Sequence, residues 1–247
     1  MKTALVTGGS RGIGRATALL LARQGYQVAV NYRQREAAAA EVVSLIQQQG
    51  GKAFSVQADI ADEQQVVAMF RSLDQQGAVL SALVNNAGIL FQQASVAQLN
   101  AERINRIFAT NVTGTFLCCR EAVKRMSFQY GGQGGAIVNV SSAAARSGAP
   151  HEYVDYAASK GAVDTLTRGL ALEVAAQGIR VNAVRPGLIY TDMHADGGEA
   201  DRVNRIAPTL PMQRGGEPDE IARAILWLLS EAASYVTGTF IDAAGGR

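Results

Sequence analysis

Tyr156 and Lys160 stand four residues apart in Tyr156-Ala157-Ala158-Ser159-Lys160, a spacing that places a phenol and an ammonium on one helix face. A phenol, with a reference pKa of about 10, exchanges protons poorly at neutral pH. A neighbouring positive charge favours its phenolate and turns the pair into a proton-exchange device. A solvated helix face would carry the same spacing, so the pair takes its meaning from other residues. Tyr153 lacks such a partner, since Ala157 stands four residues on. Ser142 closes the run Asn139-Val140-Ser141, where a hydroxyl at a strand end can polarise a substrate oxygen. Asn85-Asn86-Ala87-Gly88 closes another run, and its small residues let a flat ring approach the backbone. Asn111 lies within a long helical stretch, where asparagine is a poor helix former. An amide that satisfies a helix break and an amide that serves the chemistry are both compatible with that position.

A glycine-rich turn, Thr7-Gly8-Gly9-Ser10-Arg11-Gly12-Ile13-Gly14, joins the first apolar run to the first amphipathic stretch. Gly8, Gly12 and Gly14 meet the needs of a pyrophosphate, which are a tight turn, close backbone approach and free amides at a helix start. The spacing is G-x-x-x-G-x-G and not the commonest G-x-G-x-x-G. An ordinary flexible turn competes with this reading, and the position between strand and helix favours a nucleotide. The next apolar run ends Asn31-Tyr32-Arg33, with no acid before Glu36. A 2′-hydroxyl is usually held by an acid at that point, whereas Arg33, helped by Arg11, suits a 2′-phosphate. The expected cofactor is therefore NADP(H) in preference to NAD(H).

These residues need a scaffold. Apolar strand candidates at Thr3–Thr7, Gln27–Tyr32, Ala53–Gln57, Ala82–Asn85, Ala136–Ser141, Arg180–Arg185 and Thr239–Asp242 alternate with helical candidates. The latter are Gly14–Gln24, Glu36–Gln49, Glu63–Gln75, Ala101–Met126, Ala157–Ala176 and Asp219–Ser230. Strands that are apolar almost throughout belong in a parallel sheet covered on both faces. The alternation predicts one α/β domain over residues 1–247, a doubly wound parallel sheet of about seven strands. His194–Pro211 breaks the rhythm with Gly197-Gly198 and two prolines. A substrate loop at about 192–215 is expected there, with a plain surface connection as the alternative.

Composition narrows the classes. Over 247 residues, 23 Lys+Arg stand against 21 Asp+Glu, a net charge of +2, too small to motivate nucleic-acid or membrane-surface binding. The apolar run Ala18–Ala22 ends at Arg23, far short of a membrane span. The N-terminus runs straight into a strand with no room for a signal peptide, and Cys118 and Cys119 are adjacent, which rules out a disulfide framework. A cytoplasmic location is expected. His151 and His194 lack ligand-spaced partners, so no metal is expected.

Taken in order, the motifs TGGSRGIG (Thr7–Gly14), ADI with Asp59, NNAG (Asn85–Gly88), Asn111, Ser142, YAASK (Tyr156–Lys160) and PGLIYT (Pro186–Thr191) resemble those of the classical short-chain dehydrogenase/reductase family, over essentially the whole chain. The resemblance implies a Rossmann-type fold and hydride transfer between nicotinamide C4 and a carbonyl or secondary alcohol. By resemblance, Tyr156 exchanges the proton, Lys160 binds the nicotinamide ribose and tunes Tyr156, Ser142 polarises the carbonyl, and Asn111 anchors a water. It also implies dinucleotide contacts from Gly8, Ser10, Arg11, Gly12, Ile13 and Gly14, from Asn31, Tyr32 and Arg33, and from Asp59 and Ile60. Asn86, Ala87, Gly88, Pro186, Gly187, Ile189 and Thr191 complete that set, with Tyr156 and Lys160. A homotetramer using the long fourth and fifth helices is implied too, and the Phe116-Leu117-Cys118-Cys119 stretch fits either that interface or the core.

One departure stands out, because Ser142 and Tyr156 are 14 residues apart where the family commonly has one fewer. Ser147–Tyr153 is the place for the additional residue. Two groups within the family resemble the chain most, 3-oxoacyl-carrier-protein reductases and glucose or alcohol dehydrogenases. Segments 127–132 and 175–178, where carrier-protein reductases usually place arginines, hold no basic residue, although Lys124 and Arg125 lie one turn earlier. A small-molecule carbonyl or alcohol is thus the expected substrate, with carrier-protein reduction as an alternative. A catalytically silent dinucleotide-binding sensor or scaffold is a further alternative, which the intact catalytic set disfavours.

Overall fold

In the computed structural model, which describes residues 1–247, every strand pairs in parallel with its neighbours. The strands are β1 (Lys2–Val6), β2 (Gln27–Tyr32), β3 (Lys52–Gln57), β4 (Val79–Asn85), β5 (Gly135–Val140), β6 (Ile179–Pro186) and β7 (Phe240–Ala243). They form one seven-stranded sheet in the order β3-β2-β1-β4-β5-β6-β7. The chain winds outward from β1 to β3 and then crosses back to place β4 on the other side of β1. That reversal opens a crevice at the carboxyl ends of β1 and β4, where open α/β sheets bind ligands.

The long helices are α1 (Gly12–Arg23), α2 (Glu36–Gln48), α3 (Glu63–Gln75), α4 (Ala101–Phe108), α5 (Gly114–Met126), α7 (Val154–Val174) and α10 (Pro218–Leu229). Between them lie the short α6 (Ala144–Ser147), α8 (Met193–Asp196) and α9 (Arg202–Ile206). Side chains alternate across a strand, so Ala4 and Val6 join one core with α1, α2 and α10, while Leu5 joins the other with α3, α5 and α7. The doubly wound expectation is met on both faces.

Boundaries differ from the sequence reading where local chemistry sets them. α10 starts at Pro218 because proline suits the first helical position and Glu217 and Glu220 form a reciprocal cap. α7 starts at Val154, not Ala157, which puts Tyr156 inside its first turn. The expected continuous helix over Ala101–Met126 is corrected: Ala109–Thr113 is a π-helical turn that separates α4 from α5. The break is stabilised by Asn111, whose amide bonds to backbone outside the helix, as described below.

Candidate active site

The turn after β1 carries Gly8 and Gly12 with φ of 60° and 51°, left-handed conformations that favour glycine. Gly14 is required for another reason, since a Cβ there would lie 2.3 Å from the Gly8 carbonyl oxygen and 2.5 Å from Asn86 Nδ2. Asn86 Nδ2 donates to the Thr7 and Gly8 carbonyls at 3.0 Å each, and Thr7 Oγ1 accepts from the Asn86 and Ala87 amides at 3.0 and 3.1 Å. The glycine turn and the segment after β4 are thereby one unit. No side chain caps α1 and no acid sits in its first turn, so its amides and the positive end of its dipole are open to an anion. A pyrophosphate fits this cradle.

One long cleft runs over the crevice. Its outer part, about 240 Å³, is bordered by Ser10, Tyr32, Arg33, Arg35, Asp59 and Ile60. Its inner part, about 560 Å³, holds Ser142, Tyr156, Lys160, Pro186 and Gly187. Ile13, Asn86, Thr191 and Met193 border both, which makes them two ends of one cleft. Gly8, Arg11, Gly12, Asn31, Ala87 and Gly88 line the outer part, and Ile189 the inner. Asn31 is engaged with the protein itself: its Oδ1 accepts from the Gly8 amide at 3.3 Å, and its Nδ2 donates to Ala58 O at 3.1 Å. Arg33 lies 3.5 Å from Asp59, and Arg11 is ion-paired with Asp192 and Asp196.

At the inner end, Ser142 Oγ accepts the Ala144 amide at 3.1 Å, which leaves its own proton free to donate into the cleft. Lys160 Nζ donates to the Val140 carbonyl at 2.7 Å and lies 5.6 Å from the centre of the Tyr156 ring. Burial pushes Tyr156 up to about 12, with the neighbouring Ser142 hydroxyl opposing. Burial likewise takes Lys160 down to about 8, opposed by the Asp164 carboxylate. Without a bound dinucleotide, desolvation of a phenolate is thus the larger effect on Tyr156.

Asn111 and Gly14 border neither part of the cleft. Asn111 Oδ1 accepts the Ile89 amide at 2.8 Å, while Nδ2 donates to the Ile89 carbonyl at 2.9 Å and to Ser159 Oγ at 3.0 Å. Its side chain thus holds the strand-exit loop against the π-helical turn and α7. The Phe116–Cys119 stretch divides: Cys118 and Cys119 are buried in the core while Phe116 is exposed.

A family model described as enoyl-(acyl carrier protein) reductase matches residues 8–247. An uncharacterized oxidoreductase of Escherichia coli (strain K12), YgfF, is 71% identical over the full length of both chains. The glucose 1-dehydrogenase 2 of Bacillus subtilis (strain 168) is 38% identical, covering 99% of this chain and 94% of its own. A 3-oxoacyl-[acyl-carrier-protein] reductase, FabG, of Staphylococcus aureus (strain Mu50) is 39% identical, covering 99% and 97%. Among solved structures, a short-chain type dehydrogenase/reductase from Mycobacterium marinum superposes with a TM-score of 0.91 at 37% identity, covering 99% of this chain and 94% of that one. The chain belongs to the short-chain dehydrogenase/reductase family. It is an oxidoreductase of that family, whose members use a nicotinamide dinucleotide, and none of its helices is long and apolar enough to cross a membrane.

For a short-chain dehydrogenase/reductase, the sequence reading missed residues that build the walls of the cleft. Arg35 joins Arg33 on the outer rim. Asp155, buried, accepts from Arg103 Nε at 2.7 Å and from the Tyr156 amide at 2.9 Å, which fixes the start of α7 beside the phenol. Arg202 grips Glu152 through both terminal nitrogens, at 2.9 and 2.5 Å, and reaches Glu199 at 3.2 Å. The acid directly before Tyr156 was a visible signal for the first contact. The Arg202 partners are 50 and 3 residues away, and the longer pairing has no local signature. Between Ser142 and Tyr156, Gly148, Ala149 and His151 adopt φ of 73°, 42° and 64°. Two non-glycine residues in left-handed conformations are uncommon, and here they make a tight turn at the mouth.

Proposed function

We propose that this protein is an NADP(H)-dependent oxidoreductase that interconverts a carbonyl and a secondary alcohol, with Tyr156 as general acid/base. The observation that carries the reading is the convergence of Ser142, Tyr156 and Lys160 at the inner end of the cleft that begins at the glycine cradle. When bound, the nicotinamide supplies the hydride in reduction and takes it in oxidation. Ser142 donates its free proton to the substrate carbonyl, and Tyr156 transfers the phenolic proton to the same oxygen. Lys160, held by Val140, keeps two N–H groups for the ribose hydroxyls, and its charge stabilises the phenolate that forms. Asn111 supports this group through Ile89 and Ser159, and in this reading it anchors a water on the proton path.

The choice of NADP(H) is supported by Arg11, Arg33 and Arg35 on the outer rim and by the lack of an acid at the end of β2. Assembly as a homotetramer is supported by the exposed Phe116 on α5 and Leu172 on α7. Two buried free thiols, Cys118 and Cys119, suit the cytoplasm. Carrier-protein reduction is not favoured: Lys124 and Arg125 are committed to Glu121 and Asp74, which leaves them poorly placed for an acidic partner. The test is Tyr156→Phe, which should abolish NADPH-linked turnover while leaving dinucleotide binding intact. Full turnover by that variant would overturn the mechanism.

A further inference from the structure

We propose that the substrate of this site is a carbonyl compound that is apolar beyond its C=O group, and not a polyol. The inference rests on the hydride-transfer reading and names the substrate class for it. Polar side chains are present around the inner chamber, and most of them are engaged with the protein. Arg202 is spent on Glu152 and Glu199, and Glu199 is further held by Arg205 and Gln93. Tyr153 donates its hydroxyl to the Gly197 carbonyl at 3.4 Å. His194 Nε2 faces the Ile189 carbonyl at 3.0 Å and so carries the proton there. Burial holds that imidazole below its ordinary pKa and therefore neutral. Ser141 donates to the Lys160 carbonyl, and Ser147 accepts the Ala149 amide.

On the rim Arg146 is paired with Asp242 at 2.7 Å, and Arg247 borders the outer edge of the chamber. The rest of the substrate side is Leu90, Ala143, Ala144, Pro150, Leu188 and Met193. Deep in the chamber the hydroxyls of Ser142 and Tyr156 are left to meet a ligand, and one oxygen satisfies both; the Ser147 hydroxyl lies out on the exposed rim. Every sugar hydroxyl brought into such a chamber loses its water without gaining a partner, a loss of roughly tenfold in binding each. Each methylene gains from burial, by about threefold to fourfold.

The experiment uses the full-length protein with NADPH on 2-butanone, 2-pentanone, 2-hexanone and 2-octanone. D-Glucose and 2-octanol are compared with NADP⁺ in the oxidative direction. We expect kcat/KM to climb with every methylene, and 2-octanol to exceed D-glucose by about a hundredfold. A flat ketone series, or D-glucose as the better alcohol, would overturn the substrate class. Saturation-transfer NMR on the Tyr156→Phe protein with NADP⁺ separates the two ideas. Contact with 2-octanone and none with D-glucose supports the chamber's class even where the wild type turns over none of the panel, and that silence would overturn the hydride-transfer reading instead. No contact with 2-octanone overturns the class.

Discussion

One lone pair of Ser142 Oγ is taken by the Ala144 amide, and its single proton is what this side chain can donate. In the proposed mechanism, replacement Ser142→Ala removes the donor that meets the developing charge on the substrate oxygen. Its kcat/KM should fall by about 10²–10³, with Tm unchanged, in steady-state and thermal-shift measurements. A pH profile reports on Lys160, which is held near 8 by burial. As pH rises through that value the ammonium is lost and with it the stabilisation of the forming phenolate, while Tyr156 at about 12 keeps its proton. Reduction should therefore be flat below pH 8 and decline above it; a rate constant unchanged to pH 10 would contradict this role for Lys160. On the outer rim, Arg33→Asp should shift the ratio of NADPH to NADH affinity by at least tenfold towards NADH, read by titration of both dinucleotides. The side chains proposed to react were singled out in the sequence because their chemistry depends on residue type at fixed local spacing. Arg35 was not singled out, because a surface arginine acquires meaning only from the cleft beside it.

At the scale of elements, the glycine turn and the wall of the mouth are held by different means. Contact between backbones holds the first: in Gly14→Ala the new methyl would meet the Gly8 carbonyl and Asn86 at less than van der Waals distance. That variant should lose dinucleotide binding by fluorescence titration while the far-ultraviolet circular dichroism stays native. Charge holds the second. Removing the guanidinium in Arg202→Leu leaves Glu152 and Glu199 facing one another, at a cost of about 3 kcal/mol, the lower end for a broken buried pair because both acids keep some solvent contact. Urea unfolding should show the loss, and KM for substrate should rise more than kcat falls. The strands and long helices were readable from period alone, since burial on both sheet faces makes apolar runs obligatory. The π-helical turn at Ala109–Thr113 was readable only as an awkward asparagine. Its cause is a contact with Ile89, 22 residues away, which no helical period records. The same holds for α6, α8 and α9, whose four or five residues fall below the length at which a periodic pattern can be told from chance.

For the whole molecule, the two core layers account for most large apolar side chains, and two of those left outside motivate the proposed assembly. Phe116 is half exposed and Leu172 three-quarters exposed, on helices that pack against the same sheet face. The double variant Phe116→Asp with Leu172→Asp should convert tetramers into dimers or monomers in sedimentation velocity, without unfolding the chain. The order β3-β2-β1-β4-β5-β6-β7 also has a consequence in time. With no hairpin anywhere in the sheet, even the nearest partners, Thr3 and Gln27, are 24 residues apart, and Leu5 and Leu83 are 78 apart. Loop-closure entropy must be overcome before any strand contact is rewarded. Strand β1 is made first but gains its second neighbour only after about a third of the chain has been made. A nascent or refolding chain therefore carries an open sheet edge at β1 until β4 arrives, and it is in that interval that aggregation competes with the native state.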